Sequence, residues 1–259
     1  FILAANEMRL RNIPQVGKGK TVTLDNYFNN EFNKNIEGET QSFHYVWDEM
    51  DNNGFSLLHN VIQNYGAKTS TLKEAPTASN LANTSVYIIV DPDTKKETAN
   101  PNFMDAASIE NITNWVKEGG VLLLLANDHT NCELEHFNEL AKAFGASYKM
   151  ELKNTVTGKQ FEMGAIQVEK GNEVFPSGPK LYLKEISTLD VSSPSEAALM
   201  HKGDVAMAKA KFGKGTVFMV GDPWLYNEYT DGRKLPVDFS NFTGANELMY
   251  WLLSKAEEK

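Results

Sequence analysis

Three short, almost wholly apolar segments constrain the fold of this chain more than any other feature of its sequence. They are Ser85 to Val90, Val121 to Ala126 and Thr216 to Val220. Apolar runs of this length are typical of strands that are buried on both faces, as in a parallel sheet covered by helices. None approaches the roughly 18 apolar residues that would cross a bilayer, so no membrane partner is expected.

Amphipathic helices are predicted between and around these strands. Phe55, Leu58, Ile62 and Tyr65 share one helix face, and Gly66 follows where a C-cap is expected. Three further helices are predicted from the apolar positions Ile109, Ile112 and Val116, then Leu134, Phe137, Ala141 and Phe144, and finally Ala245, Leu248, Met249 and Leu252. The alternation predicts an α/β fold, a flavodoxin-like three-layer sandwich with a mostly parallel sheet.

Residues 146–215 lose this rhythm and are predicted to form a β-rich insertion. They hold short β-type segments, and Gly213-Lys214-Gly215 is a hairpin turn signal. Residues 18–259 are predicted to be one domain. Residues 1–17 read as a short amphipathic helix and a linker, either docked on this domain or left over from the last helix of a preceding one.

The charge and cysteine content exclude several classes of partner and site. The formal charge is -9, from 34 acidic and 25 basic residues, and this sign argues against nucleic acid as a partner. The single cysteine, Cys132, excludes an internal disulfide and zinc sites built from several cysteines. Neither G-x-G-x-x-G nor a P-loop is present, and no cofactor is predicted.

Four predicted strands end in polar clusters, which a parallel sheet would bring to one edge, where ligands bind in open α/β folds. The predicted ligand-binding residues are Asp25, Tyr27, Asp91, Asp93, Asn127, Thr130, Asn131, Trp224, Tyr226, Asn227 and Glu228. Carboxylates and amides beside aromatic rings suit carbohydrate. The alternative is ordinary, because Asp and Asn are common helix caps and turn formers, and Trp and Tyr are often core residues.

The catalytic candidates are His129, Asp128 and Asp222. A histidine at this position would serve as an acid or base near neutral pH, unless its ring only hydrogen-bonds within the turn. Thr130 or Asn131 is the predicted N-cap of the helix that follows, whose free N–H groups would receive an anion.

Cys132 is interpreted as a structural cysteine, because it lies past the turn and no glycine flanks that turn as a nucleophile elbow requires. The pairs His129/Glu133 and Cys132/His136 have i, i+4 spacing, but no third ligand stands out, and no metal is predicted.

Three segments carry a resemblance to a known family: Val86 to Thr94, Gly119 to Asn131 and Val220 to Tyr229. They resemble class I glutamine amidotransferase-like domains of the trehalose-utilisation type. In particular, they resemble the module that follows family 105 glycoside hydrolases, unsaturated rhamnogalacturonyl hydrolases, in Bacteroidetes. The opening Phe1 to Met8 is similar to the last helix of that hydrolase's barrel. The family's elbow cysteine is replaced by Asn127-Asp128, and no downstream His-x-Glu follows, so amidotransferase activity is not implied.

The resemblance implies a non-catalytic accessory domain of a pectin-degrading hydrolase, either binding a pectic oligosaccharide or packing on the preceding hydrolase domain. It also implies the periplasm or the space outside the cell. The rival hypothesis is an independent hydrolase that acts on a glycan through His129 with Asp128 or Asp222. A purely structural domain is the third possibility, and it predicts an apolar docking patch near the first helix.

Overall fold

The computed structural model describes residues 13–257, and in that part of the chain one large sheet organises the fold. Five neighbouring strands run parallel in the order β4 (Lys68–Leu72), β1 (Thr21–Asp25), β5 (Val86–Val90), β6 (Val121–Leu125) and β13 (Gly215–Val220). The sheet continues on the far side of β13 with the antiparallel strands β12 (Asp204–Phe212), β10 (Leu189–Val191) and β7 (Ala146–Tyr148), while β11 (Ser195–His201) pairs with β12.

Helices cover both faces of the sheet. They are α1 (Ser56–Asn64), α2 (Ala106–Lys117), α3 (Leu134–Ala143), the short α4 (Asn227–Thr230) and α5 (Asn241–Lys255). Two small hairpins stand apart from the sheet, formed by β2 (Glu31–Lys34) with β3 (Thr40–Phe43) and by β8 (Ala165–Gln167) with β9 (Lys180–Tyr182). None of the helices in residues 13–257 is long and apolar enough to cross a membrane.

Alternation along the central strands divides the core into two layers. Ile88 and Leu123 face the layer that holds Leu248 of α5, whereas Tyr87 and Leu122 face the opposite layer with α2 and α3. The central strands are buried on both faces, which explains why β5 and β6 read as continuous apolar runs. The predicted α/β sandwich with a mostly parallel sheet is confirmed.

Some elements differ from the sequence-based expectation. The β-rich region is not separate from the sheet, because β7, β10, β11 and β12 extend it. Strand β4 and the β2–β3 hairpin were not predicted, since their alternating polar residues carry no apolar run. Helix α5 begins four residues before Ala245, the first of its predicted apolar positions. The predicted helix at residues 1–10 lies outside the described residues.

The strand order creates a switch point between β1 and β5. The chain leaves β1 for β4 on one side, and later places β5 on the other side of β1. In an open α/β sheet, connections that depart in opposite directions leave a crevice outside the carboxyl ends of the strands. Segment 43–47, which follows the β2–β3 hairpin, lies at this crevice, because the Tyr45 hydroxyl reaches Asp91 at the end of β5.

Candidate functional site

A polar cavity of about 240 Å³ lies at the carboxyl edge of the sheet. Its walls come from the ends of β5, β6 and β13, from segment 43–47 and from the loop before β10. The lining residues are His44, Tyr45, Asp91, Glu97, Asn127, Asn131, Lys184, Glu185, Asp222, Pro223 and Tyr226. The polar clusters that follow three separate strands therefore contribute to one cavity, which we call the edge cavity.

Asp91 is the most constrained polar side chain of the edge cavity. Its Oδ2 accepts hydrogen bonds from the Tyr45 hydroxyl over 2.9 Å and from Asn127 Nδ2 over 3.0 Å. Its other carboxyl oxygen, Oδ1, is buried without a hydrogen-bond partner. Burial raises the pKa of Asp91 to about 7, although the hydrogen bonds from Asn127 and Tyr45 oppose this rise.

Asp222 supplies a second buried carboxyl group to the same cavity. It is 3 % exposed and follows β13 directly. Burial raises the pKa of Asp222 well above its ordinary value; nearby Lys184 opposes this rise, and Asp91 adds to it. Two carboxyl groups whose pKa values are raised by burial therefore face one cavity, and each can donate a hydrogen bond when it is protonated as well as accept one.

The backbone around the edge cavity is held in an unfavourable conformation at four places. His44, Tyr45, Asp91 and Glu185 all have positive φ, at 68°, 57°, 43° and 55°. Positive φ values are uncommon for residues other than glycine. They concentrate at functional sites, where the surrounding structure holds the backbone in a strained conformation. Four of the six positive-φ residues other than glycine in the described chain line this single cavity.

Asp25 and Asp93 lie at the same sheet edge but hold the loops together. Asp25 accepts hydrogen bonds from the Phe28 backbone N–H over 2.8 Å and from the Tyr87 hydroxyl over 2.7 Å. Asp93 accepts one from the Asn30 backbone N–H over 2.9 Å. Burial raises the pKa of each to about 6. Neither lines the edge cavity, and these contacts are those of turn residues.

The Asp128 to Asn131 turn also has an internal role. Asp128 is buried and accepts hydrogen bonds from the Thr130 backbone N–H over 2.8 Å and from Asn131 Nδ2 over 2.7 Å. His129 and Thr130 are exposed and lie outside the edge cavity, whereas Asn131 lines it. In residues 13–257 no hydrogen bond reaches the His129 ring, so the predicted bond within the turn is not seen.

The predicted N-cap at Thr130 or Asn131 is wrong. Glu133 caps α3, and its carboxylate accepts a hydrogen bond from the His136 backbone N–H over 3.1 Å. The Glu133 carboxylate lies at the free end of the first helical turn, which is the position that a bound anion would occupy. An anion site at this helix start is therefore not supported.

The remaining predicted binding residues divide between the edge cavity and the surrounding core. Tyr226 lines the cavity, close to Tyr45 at a ring separation of 6.1 Å. Trp224 is 0 % exposed and packs against Phe175, so its ring has no face for a sugar. Asn227 is buried, and its Nδ2 donates to two backbone carbonyl groups of the loop before α1 and to the hydroxyl group of Ser56, the first residue of α1.

Glu228 and Tyr27 lie outside the edge cavity. Glu228 pairs with Lys234 across 3.1 Å, and Tyr27 packs edge-on against Phe28. The contacts of both residues are those of loop packing, and neither residue lines the cavity.

Cys132 and the two pairs with i, i+4 spacing lie outside the edge cavity. Cys132 is buried, and burial raises the pKa of its thiol well above the ordinary value, which disfavours the reactive thiolate. The ring of His136 stacks on Phe103, and its Nδ1 lies 3.0 Å from Glu133 Oε1. Glu133, Glu135 and His136 do place ligand atoms within 4.8 Å of one another, but on the surface, where acidic clusters commonly bind nothing.

Several cavity residues were not predicted from the sequence. His44 and Tyr45 come from the segment after an unpredicted hairpin, and Lys184 and Glu185 come from the region read as an insertion. The signal that was available is the Phe-His-Tyr sequence at residues 43–45, an aromatic cluster in a polar stretch between two predicted elements. It was not interpretable because its distance from Asp91 depends on how the hairpin folds back.

No protein family model matches the chain. No curated protein matches it either. Solved structures share its fold at low sequence identity. The mmIFT52 N-terminal domain is 16 % identical with a TM-score of 0.66, and the match covers 90 % of this chain and 97 % of that one.

Two other solved structures are similar over most of this chain. Cytoplasmic protein STM1381 from Salmonella typhimurium LT2 is 16 % identical with a TM-score of 0.52, and the match covers 78 % of this chain and 87 % of that one. Exo-β-1,4-mannosidase Op5Man5 from Opitutaceae bacterium strain TAV5 is 15 % identical with a TM-score of 0.50. That match covers 93 % of this chain but only 37 % of the mannosidase. At these identities the likeness shows the fold alone.

Proposed function

We propose that this chain is an accessory domain of a glycan-degrading polypeptide and that the edge cavity binds one sugar unit of the glycan. The observation that carries the proposal is the pair Asp91 and Asp222, two buried carboxyl groups that line one polar cavity. A sugar hydroxyl group both donates and accepts hydrogen bonds, so it can pair with either carboxyl group in either protonation state.

The chemistry of the cavity suits a polyhydroxylated ligand. Carboxyl, amide, hydroxyl and amine groups alternate around it, so one hydroxyl group of a sugar can donate while the next accepts. Tyr226, which is partly exposed, adds aromatic surface of the kind that packs against a sugar ring, whereas the ring of Tyr45 is buried and stacks on His44. Glu97 and Glu185 outnumber Lys184 in the lining, which favours a neutral sugar over a uronate.

Two likenesses support the accessory role. The sequence segments around β5, β6 and β13 resemble the module that follows a family 105 hydrolase. The fold is also similar to a part of the mannosidase Op5Man5, most of which lies outside the match. Both are consistent with a domain that accompanies a glycan hydrolase, and a pectic glycan is the substrate class that the first likeness implies.

The test is a calorimetric titration of the protein with neutral sugars, galacturonate and pectic oligosaccharides. We expect millimolar or tighter binding of a neutral sugar or of an oligosaccharide that contains one, and a loss of about tenfold or more in Asp222→Asn. Asp190→Asn is the matched control, because Asp190 is an exposed residue of β10 far along the sheet. Affinity that is absent for every sugar, or equal in all three proteins, would refute sugar binding at this cavity.

A second function, glycoside hydrolysis, is favoured by one specific observation. The pKa of Asp91 is about 7, which is where a general acid or base works best, and Asp91 lies close enough to Asp222 to raise the pKa of that second carboxyl group. In such a mechanism one carboxylic acid protonates the leaving oxygen while the other carboxylate activates water or attacks the sugar. His129 and Asp128 take no part, since neither lines the cavity.

Aryl glycosides distinguish the two functions. The accessory-domain proposal predicts binding without turnover. Turnover by the isolated chain that disappears in both Asp91→Asn and Asp222→Asn, but persists in His129→Ala, would establish the hydrolase instead. The third hypothesis, a purely structural domain, predicts neither binding nor turnover, and its docking patch near the first helix lies outside the described residues.

A further inference from the structure

A second and larger cavity, of about 550 Å³, lies on the other side of segment 43–47 from the edge cavity. It sits over the ends of β1 and β4, which contribute Asn26, Thr71 and Lys73, and the β2–β3 hairpin closes one side of it. The two cavities thus flank the switch point of the sheet. We call the larger one the hairpin cavity.

The hairpin cavity contains hydrogen-bond acceptors that lack donors. Asn26 is 3 % exposed; its Nδ2 donates to the Asn29 carbonyl over 2.8 Å, while its Oδ1 is buried without a partner. Asn33 Oδ1 and both carboxylate oxygens of Glu49 are also buried and unpartnered. Three side chains from three segments of the chain therefore present four unsatisfied oxygens at one cavity.

Acidic residues outnumber basic ones in the lining of the hairpin cavity. Asp48, Glu49 and Asp51 line it, against a single basic residue, Lys73. Burial raises the pKa of the Glu49 carboxyl; the charge and the backbone N–H of His44 oppose the rise, and the nearby negative charge of Asp51 adds to it. A positively charged ligand would lower the pKa of Glu49, because it would pair with the carboxylate. Its N–H groups would supply the missing hydrogen-bond donors.

We propose that the hairpin cavity binds a small organic cation with several N–H donors, a primary amine or a guanidinium. Such a ligand satisfies oxygens that nothing in residues 13–257 satisfies. Trp47, Phe43, Val46 and Met50 supply the apolar surface that its carbon chain needs. The ligand class differs from the sugar assigned to the edge cavity, so the two sites are tested separately.

A bare metal ion fits the hairpin cavity less well. The cavity is many times the volume that one ion needs, and its size is in the range of pockets for small organic molecules. Within residues 13–257, the one group of three possible ligands whose atoms lie within 4.8 Å of one another is elsewhere, at Glu133, Glu135 and His136, so the acidic residues of the hairpin cavity form no such group. Calcium is therefore one outcome of the test rather than the proposal.

The experiment is an NMR titration of the ¹⁵N-labelled protein with agmatine, which carries a guanidinium and an amine. Its neutral comparison is 1,4-butanediol, and calcium chloride is the third arm. We expect agmatine to shift the amide resonances of Asn26, Glu49 and Trp47 at concentrations below about 10 mM. Butanediol and calcium should leave those resonances unchanged.

Two variants and a control complete the test. Glu49→Gln removes the buried charge at nearly constant shape, and Asp51→Asn removes an exposed charge at the rim; we expect affinities about tenfold and a few-fold weaker, respectively. Glu37→Gln, in the exposed hairpin turn away from the lining, should bind like the unaltered protein. Thermal melting confirms that each variant folds.

Three results would overturn the proposal: no agmatine shifts up to that concentration, equal shifts with butanediol, or an unchanged affinity in Glu49→Gln. Calcium chloride shifting the same resonances more strongly than agmatine would also overturn it in favour of a metal site. Sugar binding at the edge cavity is measured independently, so a failure at one cavity leaves the other result standing.

Discussion

Asp91→Asn tests whether the edge cavity holds a carboxyl group that burial keeps protonated. The change removes the titratable group while retaining its size and one oxygen that can accept from Tyr45 and Asn127. Asparagine also tolerates the positive φ of 43° found at this position. The variant therefore differs from the unaltered protein chiefly because its side chain at position 91 does not titrate.

The sign and size of the effect follow from the pKa. Asp91 has an ordinary pKa of 3.8 when unfolded and about 7 when folded, so between these values the folded state holds a proton that the unfolded state has lost. Stability therefore falls as the pH rises through this window. Each pKa unit is worth about 1.4 kcal/mol, so the decrease between about pH 4.5 and pH 8 is about 3 kcal/mol.

Urea denaturation at about pH 4.5, 6 and 8 measures this effect. Asp25, Asp93 and Asp222 also have raised pKa values and add to the pH dependence of the unaltered protein, so the informative quantity is the difference between the variant and that protein. We expect Asp91→Asn to gain about 3 kcal/mol relative to it from the lowest to the highest pH. Asp190→Asn should show no such trend. A difference that stays constant with pH would refute a buried, largely protonated Asp91.

Three further predictions concern the interior near the two cavities. The single thiol, Cys132, should resist a disulfide reagent in the native protein and react fully in denaturant; rapid native labelling would contradict its burial. Asn227→Ala should lower the free energy of unfolding by about 2 to 4 kcal/mol, because it leaves several buried hydrogen-bond partners unpaired. A loss below about 1 kcal/mol in urea denaturation would be inconsistent with those contacts. Gly221→Ala should cost about 3 kcal/mol or more, since a Cβ would lie 1.6 Å from the Ser187 carbonyl oxygen, and a near-neutral melting temperature would show that this approach is not so close.

The fold was predictable where the burial of an element produces a recognisable apolar pattern in the sequence. Strands β5 and β6 are apolar throughout because helices cover both faces, and the positive φ of Gly66 after α1 matches its expected position at a C-cap. Strand β4 was missed because it is an edge strand with mostly exposed side chains, so neither alternation nor an apolar run marks it.

The site was predictable only in part, for a different reason. Parallel strands must bring Asp91, Asn127 and Asp222 to one edge, and this follows from the element order alone. Which polar residue faces the cavity and which one holds a loop depends on local hydrogen bonds, and Asp128 and Asp91 look alike in the sequence. The partners from outside the strand ends, Tyr45 and Lys184, are brought in by long-range contacts that no local pattern encodes.

The most direct measurement of the central claim is an NMR map of the residues whose amide resonances shift when a neutral sugar is added. We predict that the shifts cluster at Tyr45, Asp91, Asn127, Asp222 and Tyr226, and that they are lost in Asp222→Asn. Shifts confined to the exposed turn at His129, or none at millimolar sugar, would contradict a sugar site at the edge cavity.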